Sequence, residues 1–353
     1  MGRIADLKPL ERVVLPGLRE LDTTGLVLVV GPNSSGKSQF LRDLYERLCG
    51  TPRALVVASE VELRKLDLAP MIDVLVEEEL FERVDDGSGT GQLRPRTTYL
   101  GVGQALGQIS SAQPQQWYNG YNPADASFHR RQNEFLNYFG RLLVTALFLD
   151  RRLVAVNQTG AYDHETQPPQ HELHALYVDD EAKKALLQEI VTSFGKAVWP
   201  DASRGGTICL KVSEQGSLPS PEERLSPKRM SQFRAIEAEG DGMKSYVATC
   251  IALLLGRRPV CLVDEPEMCL HPPQAYNLGR FIGRYGSSED TVTFVATHSS
   301  HVLRGVIQTA PKLQIVRLIR RGAAFSAHLV SASTLREALE KPTVRAESIL
   351  GNL

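Results

Sequence analysis

At 353 residues, 42% of them apolar, the chain carries enough material for one large α/β domain or for a core domain with a second lobe. Its 40 Lys and Arg against 41 Asp and Glu leave a net charge of -1, which excludes a global positive field of the kind that advertises nucleic-acid binding and confines any such contact to a local patch. The five cysteines, Cys49, Cys209, Cys250, Cys261 and Cys269, are odd in number, scattered and mostly within apolar runs, the pattern of reduced core residues rather than of a disulfide framework. No apolar stretch reaches the roughly 20 residues of a membrane span, and Met1–Asp6 lacks a secretory apolar region. The expectation is a cytoplasmic protein with no membrane partner.

In chain order, Val13–Leu15 and Leu18–Asp22, separated by Pro16 and Gly17, predict a strand pair. The apolar run Leu26–Val30 then enters Gly31, Pro32, Asn33, Ser34, Ser35, Gly36, Lys37 and Ser38, a GxxxxGKS loop, followed by the helical pattern Gln39–Leu48. Strand, loop and helix together are the setting of a phosphate-binding loop: glycines let backbone N–H groups turn inward as an anion nest, and the helix points its positive end at the same phosphates. Lys37 would reach the β- and γ-phosphates, and Ser38 would hold Mg²⁺ through its hydroxyl.

Ala54–Val57 reads as a buried strand, 60–83 as a charged helical stretch with Leu63, Leu66, Leu68, Ile72, Leu75 and Leu80, and Asp85–Gly91 as a loop. Trp117, Tyr118 and Tyr121 lie in a proline-bearing loop that packs its own aromatics; with Arg130 and Arg131 they could instead offer stacking and phosphate contacts to nucleic acid. Asp125–Leu143 is helical, with Phe128, Phe135, Leu136 and Phe139 on its apolar side, and Leu147–Val156 reads as a strand. His164, His171, Glu172 and His174 are metal-ligand types, yet Pro168 and Pro169 interrupt them and the helical HExxH spacing is missing, so the segment reads as a solvated loop. A helix over 179–198, capped by Asp179 or Asp180, precedes a strand at Thr207–Val212 and a polar loop over 213–229. No sustained heptad pattern and no internal repeat is present.

Farther on, Pro259–Val263 runs into Asp264 and Glu265, a buried parallel strand that presents two carboxylates at its C-terminal edge, where open α/β sheets bind ligands. Asp264 would bind Mg²⁺ directly or through water, and Glu265 would polarise the water that attacks the γ-phosphate. Thr291–Ala296 is another buried strand, delivering Thr297 and His298, whose imidazole can hydrogen-bond the γ-phosphate or the attacking water. Between these parts, a glycine-rich turn with Gly240, Gly242, Lys244 and Ser245 opens a long apolar helix, a second anion site. One chain rarely needs two such sites for one nucleotide, so the second is expected to meet the phosphate bound by another copy.

The order of phosphate loop, glycine-rich signature helix, apolar strand ending in Asp-Glu and strand-end histidine resembles the ABC class of ATPases, which includes transporter motors, SMC proteins and RecF. The runs DEPEMCLHP (264–272) and ATHSSHVL (296–303) more narrowly resemble the OLD-like ATPases of bacterial anti-phage systems, often fused to a TOPRIM nuclease. The resemblance rests on four motifs across 26–303 and implies an α/β fold: an ABC-type ATPase head with a mixed or parallel sheet, built from 1–60 and 235–330, an inserted helical or mixed lobe over 61–234 and a helical tail over 331–353. It further implies ATP and Mg²⁺ as ligands, Gln39 among the residues around the nucleotide, and a head-to-tail dimer, or a higher oligomer, with ATP sandwiched between subunits. The signature departs from LSGGQ: it is Glu239-Gly-Asp-Gly-Met243, with Asp241 at a glycine position and Lys244 placed to compensate. Gln104 and Gln158 are the candidates for the family's Q-loop glutamine. The tail resembles the segment leading into TOPRIM, but no acidic TOPRIM motif is present. The expected function is therefore an ATP-hydrolysing subunit that controls an effector in trans, a TOPRIM-type nuclease, with DNA or a phage protein as candidate trigger. The alternative is a RecF- or SMC-like ATPase that clamps DNA.

Overall fold

The computed structural model describes residues 7–331 and Leu335, apart from 52, 65–67, 86, 88–90, 97–108, 111, 115–125, 225, 256–257 and 289–290. Trp117, Tyr118, Tyr121, the side chains of Arg130 and Arg131, Gln104 and nearly all of the tail over 331–353 lie outside the described residues.

The elements that carry the site are β1 (Leu10–Val14), β2 (Gly25–Val30), α1 (Lys37–Leu48), β3 (Glu60–Leu63), α2 (Leu68–Glu77), β4 (Phe81–Val84), β5 (Gln92–Pro95), β6 (Ile109–Ser110), α3 (Ala126–Phe139), β7 (Val144–Leu147) and α4 (Leu149–Val154). After them come β8 (Thr159–Gly160), α5 (Glu172–Val178), α6 (Asp180–Phe194), β9 (Ala197–Asp201), β10 (Thr207–Ser213), β11 (Arg234–Ala235) and α7 (Asp241–Leu255). The last are β12 (Val260–Asp264), α8 (Pro272–Tyr285), β13 (Val292–Thr297), α9 (Ser300–Thr309), β14 (Leu313–Arg321) and β15 (Ala324–Val330).

Six strands form the central sheet in the order β15-β14-β2-β13-β12-β7, all parallel except for β15, which pairs antiparallel with β14. This is the mixed, mostly parallel α/β architecture expected from the sequence. Burial on both faces explains the unbroken apolar composition of β2, β12 and β13. Leu26, Leu28, Val30, Val263 and Val295 face one layer, packed by α5 to α9, whereas Val27, Val29, Leu262 and Phe294 face the other, where Phe40, Leu41 and Leu44 of α1 and Val13 of β1 meet them. The strand β7 falls inside 61–234 yet forms the edge of the central sheet beside β12. Elsewhere in that stretch, Leu68, Met71, Phe81, Leu93, Phe135 and Phe139 close a separate core, and β8 to β11 make a small antiparallel sheet.

Helices α8 and α9 approach to backbone contact because both carry glycine where they cross: a Cβ on Gly279 would stand 2.4 Å from the Val302 carbonyl oxygen, and one on Gly305 would stand 2.2 Å from that of Tyr276. Among the described residues no helix is long and apolar enough to cross a membrane.

Several local expectations are corrected. Residues 54–57 are not a strand: the buried Asp43 carboxylate of α1 accepts the backbone N–H groups of Val56, Val57 and Ala58 at 3.1, 2.7 and 3.0 Å, occupying donors that a ladder would need. The stretch 60–83 is a strand, a helix and a strand, with Glu79 in the left-handed region (φ 58°) ending the helical part. In 147–156 only Leu147 is strand; the aliphatic residues on both sides of Asp150–Arg152 suit a strand, but the chain turns into α4. Asp179, not Asp180, caps α6 by accepting from Ala182 N at 2.9 Å, and Gly195 in the left-handed region stops it, so Val198 belongs to β9.

The histidine segment is not a solvated loop at its C-terminal end. The His171 side chain caps α5, and His174 is buried, its Nδ1 accepting from Gln170 N at 3.1 Å, its Nε2 2.7 Å from the Gly160 carbonyl oxygen and its ring stacked on Tyr162. That pattern holds a neutral ring with the proton on Nε2. Among the described residues no group of three or more His, Cys, Asp or Glu side chains is arranged to hold a metal ion.

Two outcomes follow from these contacts. Asp43→Ala strands the N–H groups of Val56, Val57 and Ala58, the last two in buried residues, and should cost about 3 kcal/mol of unfolding free energy in denaturant titration. Burial lowers the pKa of His174, with the Gly160 carbonyl opposing it. The unfolded chain therefore binds this proton first, so the stabilising contribution is complete above the ordinary histidine pKa and is lost as pH falls below it. His174→Gln should flatten the fall in stability measured between about pH 7 and pH 5.

Candidate nucleotide site

Parallel register sets the site. Val30 lies opposite Thr297, Ala296 opposite Asp264, and Val263 opposite Leu147, so the loops that leave β2, β13, β12 and β7 emerge side by side at one sheet edge. Gly31–Ser38, His298, Glu265 and the start of α4 thereby become neighbours.

In the loop, Lys37 is almost fully buried at 3% exposure, and its Nζ donates to the carbonyl oxygens of Gly31 and Pro32 at 3.0 and 2.9 Å. Burial lowers its pKa, while Glu265, Glu267 and Asp264 oppose the shift, so the cation is desolvated beside three carboxylates. Ser38 Oγ donates to Asp264 Oδ1 at 2.8 Å, joining the loop to the end of β12. Burial pushes the Asp264 carboxyl up; the Ser38 hydrogen bond lowers it and the neighbouring Glu265 raises it further. Ser35 Oγ is buried without a hydrogen-bond partner among the described residues, and Pro32, Asn33 and Ser34 are exposed at the tip. Gln39 is turned away from the loop: its Nε2 donates to Asp43 Oδ1 at 3.0 Å.

After Asp264 the chain folds sharply. Glu265 takes a left-handed conformation (φ 44°), an unusual state for a non-glycine residue, while its N–H donates to the Ala296 carbonyl at 2.8 Å. His298 Nδ1 lies 3.3 Å from Glu265 Oε1 and 3.2 Å from Glu267 Oε1. Glu267 Oε1 also accepts from Thr297 Oγ1 at 2.7 Å and from the N–H groups of His298 and Ser299 at 3.0 and 3.1 Å, whereas its buried Oε2 has no partner among the described residues. Glu267 thus fixes the loop that bears His298. It stands two places after Glu265, a spacing that could have singled it out, since two residues of a tight turn can return to the same edge.

The glycine-rich turn divides. Gly240 is exposed, and Lys244 pairs with Asp241 at 2.7 Å. Gly242 is buried where a Cβ would stand 2.2 Å from the Cys269 carbonyl oxygen, so it lets α7 rest on the turn that follows Glu265. Ser245 must be taken out of the surface set: it is 0% exposed and its Oγ accepts from Arg152 Nε at 2.8 Å within the same chain.

Arg152, like Glu267, is a residue of this edge that sequence reasoning missed. It is 0% exposed at the edge beside Asp264, in a segment that reads as a strand. Burial lowers its guanidinium pKa to about 10 against the opposing fields of Asp264, Glu267 and Glu265. Of the two Q-loop candidates, Gln158 donates its N–H to Glu237 Oε1 at 2.7 Å. The position that follows β7 beside Asp264 is occupied by Phe148 to Arg152.

In fold, the chain is similar to solved SMC heads. An SMC head bound to the C-terminal winged-helix domain of ScpA is 12% identical over 93% of this chain and 99% of that one, with a TM-score of 0.47. The SMC head domain from Thermotoga maritima is 11% identical over 92% and 97%, at 0.41. A Pyrococcus furiosus Smc head with an extended coiled coil, bound to the C-terminal domain of ScpA, is 12% identical over 94% and 98%, at 0.42. No curated protein matches the chain. A family model matches residues 96–304, the span that holds Arg152, the start of α7, Asp264, Glu265, Glu267 and His298. The chain belongs to that family, described as "AAA domain, putative AbiEii toxin, Type IV TA system".

Proposed function

We propose that the protein binds and hydrolyses ATP, and that nucleotide state controls its assembly with a second copy and with an effector. The observation that carries the reading is the meeting of the phosphate-type loop with Asp264, Glu265, Glu267 and His298 at one sheet edge, through the Ser38–Asp264 hydrogen bond at 2.8 Å. The residues suit Mg²⁺: a hydroxyl and a carboxylate form a pair of hard oxygen donors, and the raised Asp264 pKa marks a place where a cation would relieve the buried charge. Held by Ser38 and Asp264, Mg²⁺ would neutralise charge on the β- and γ-phosphates.

The chain's own groups supply the rest. Lys37 exchanges its two loop carbonyls for phosphate oxygens, a substitution for which its desolvated ammonium is prepared. Glu265 accepts a proton from the attacking water, while His298, held at Nδ1 beside two carboxylates, uses Nε2 to accept from the attacking water or, as the imidazolium, to donate to the γ-phosphate. Gly240 and Lys244, at the outer end of α7, meet the nucleotide of a second subunit, and the Lys244–Asp241 pair offsets the awkward acid of that turn. Resemblance to the OLD-like ATPases supports an anti-phage role with a TOPRIM-type nuclease held in trans. A RecF- or SMC-like clamp is the second reading; the near-zero net charge weighs against it.

Glu265→Gln should lower steady-state turnover about 100-fold or more while leaving ATP binding intact, and should accumulate an ATP-dependent dimer in light scattering. Lys37→Ala should weaken binding of the nucleotide itself. Unchanged ATP turnover in both variants would remove the hydrolytic reading. Tight duplex binding by the purified chain, weakening steeply with salt, would favour the clamp.

A further inference from the structure

Arg152 spends a whole guanidinium on groups inside one chain. Its Nε donates to Ser245 Oγ at 2.8 Å, Nη1 to the carbonyl oxygens of Leu147 at 2.6 Å and Asp264 at 2.5 Å, and Nη2 to that of Glu265 at 3.1 Å. None of these hydrogen-bond partners is a carboxylate: Asp264, Glu265 and Glu267 act on the charge through space, while the fork itself is spent on backbone and a hydroxyl. What the four contacts share is position: they join the end of β7, the first turn of α7 and the backbone on either side of the Asp264–Glu265 peptide.

We infer that Arg152 is a positioning residue that couples the start of α7 to the backbone carrying Asp264 and Glu265, so that contact made on Gly240–Lys244 by a second subunit is felt at the carboxylate that activates water. The inference rests on the reading in the preceding subsection. The guanidinium is a rigid planar fork, so a displacement of Ser245 that turns Nε also turns the two nitrogens holding the Asp264 and Glu265 carbonyls; a flexible ammonium with one reach could not transmit this.

Two further contacts make the path continuous. Thr249 Oγ1 donates to the Ser245 carbonyl at 2.8 Å, tying that residue into the helix, and Gly242 abuts the Cys269 carbonyl, a second link between the same two segments. A hold on the Glu265 carbonyl also helps to keep this residue in its left-handed conformation (φ 44°), which is uncommon for a non-glycine residue.

The test uses the full chain with Ser245→Ala, which removes one link of the fork without disturbing charge, and Arg152→Lys, which keeps the charge and loses the fork. In turnover assays, both are expected to lower kcat about tenfold or more while KM for ATP stays within about threefold of wild type, since Lys37 and Ser38 are untouched. A residue that only stabilised the fold would lower the active fraction and melting temperature together, which calorimetry reports separately. Hydrogen exchange in the unliganded protein supplies a readout independent of hydrolysis: Ser245→Ala should speed amide exchange at least about fivefold over 265–270, with β2 and β13 unchanged. If Arg152→Lys fails to fold, Ser245→Ala carries both measurements. Absence of wild-type turnover would sink the ATPase reading alone. Wild-type kcat with unchanged exchange at 265–270 in Ser245→Ala would overturn the coupling.

Discussion

Everything at the site depends on the in-register parallel pairing of β2, β13, β12 and β7. A parallel sheet delivers all its strand ends to one edge, so residues distant in sequence, Lys37, Arg152, Asp264 and His298, become neighbours without any long loop reaching across. The pairing is itself enforced by burial on both faces: a slip of one residue would turn Leu28 and Val30 toward the α1 layer and Val27 and Val29 toward the other, disrupting both cores.

At that edge electrostatics takes over from packing. Three carboxylates, Asp264, Glu265 and Glu267, lie close enough to act on both Lys37 and Arg152. The two cations meet the cluster in different ways. Lys37 is bound to loop carbonyls that a phosphate can replace, whereas Arg152 is bound to backbone and to Ser245, partners that no ligand displaces. One cation is therefore exchangeable and the other is permanent, which suits a substrate contact and a structural hinge pin respectively.

The sequence was most legible where periodicity and a motif agree. The strand before Gly31, the strand ending at Asp264 and the strand ending at Thr297 are continuous apolar runs that close on chemically distinctive residues, and each lies where it was expected. Legibility failed where side chains outbid the backbone. Asp43 captures the N–H groups of 56–58, a contact thirteen to fifteen residues away that no local pattern announces. Arg152 lies in a run of mixed basic, aliphatic and acidic residues that reads as a strand, and its burial comes from partners that no local pattern announces. Ser245 shows the converse: a helix start suggests an outward hydroxyl, but the helical rotation turns it inward.

The glycine crossing of α8 and α9 has a mechanical consequence. Helix α8 begins just beyond the turn that follows Glu267, and α9 begins just beyond His298. With Gly279 pressed to Val302 and Gly305 to Tyr276, the pair has no side-chain cushion in which to slide. The acid-bearing turn and the histidine-bearing turn are thus mounted on the two arms of a single stiff lever.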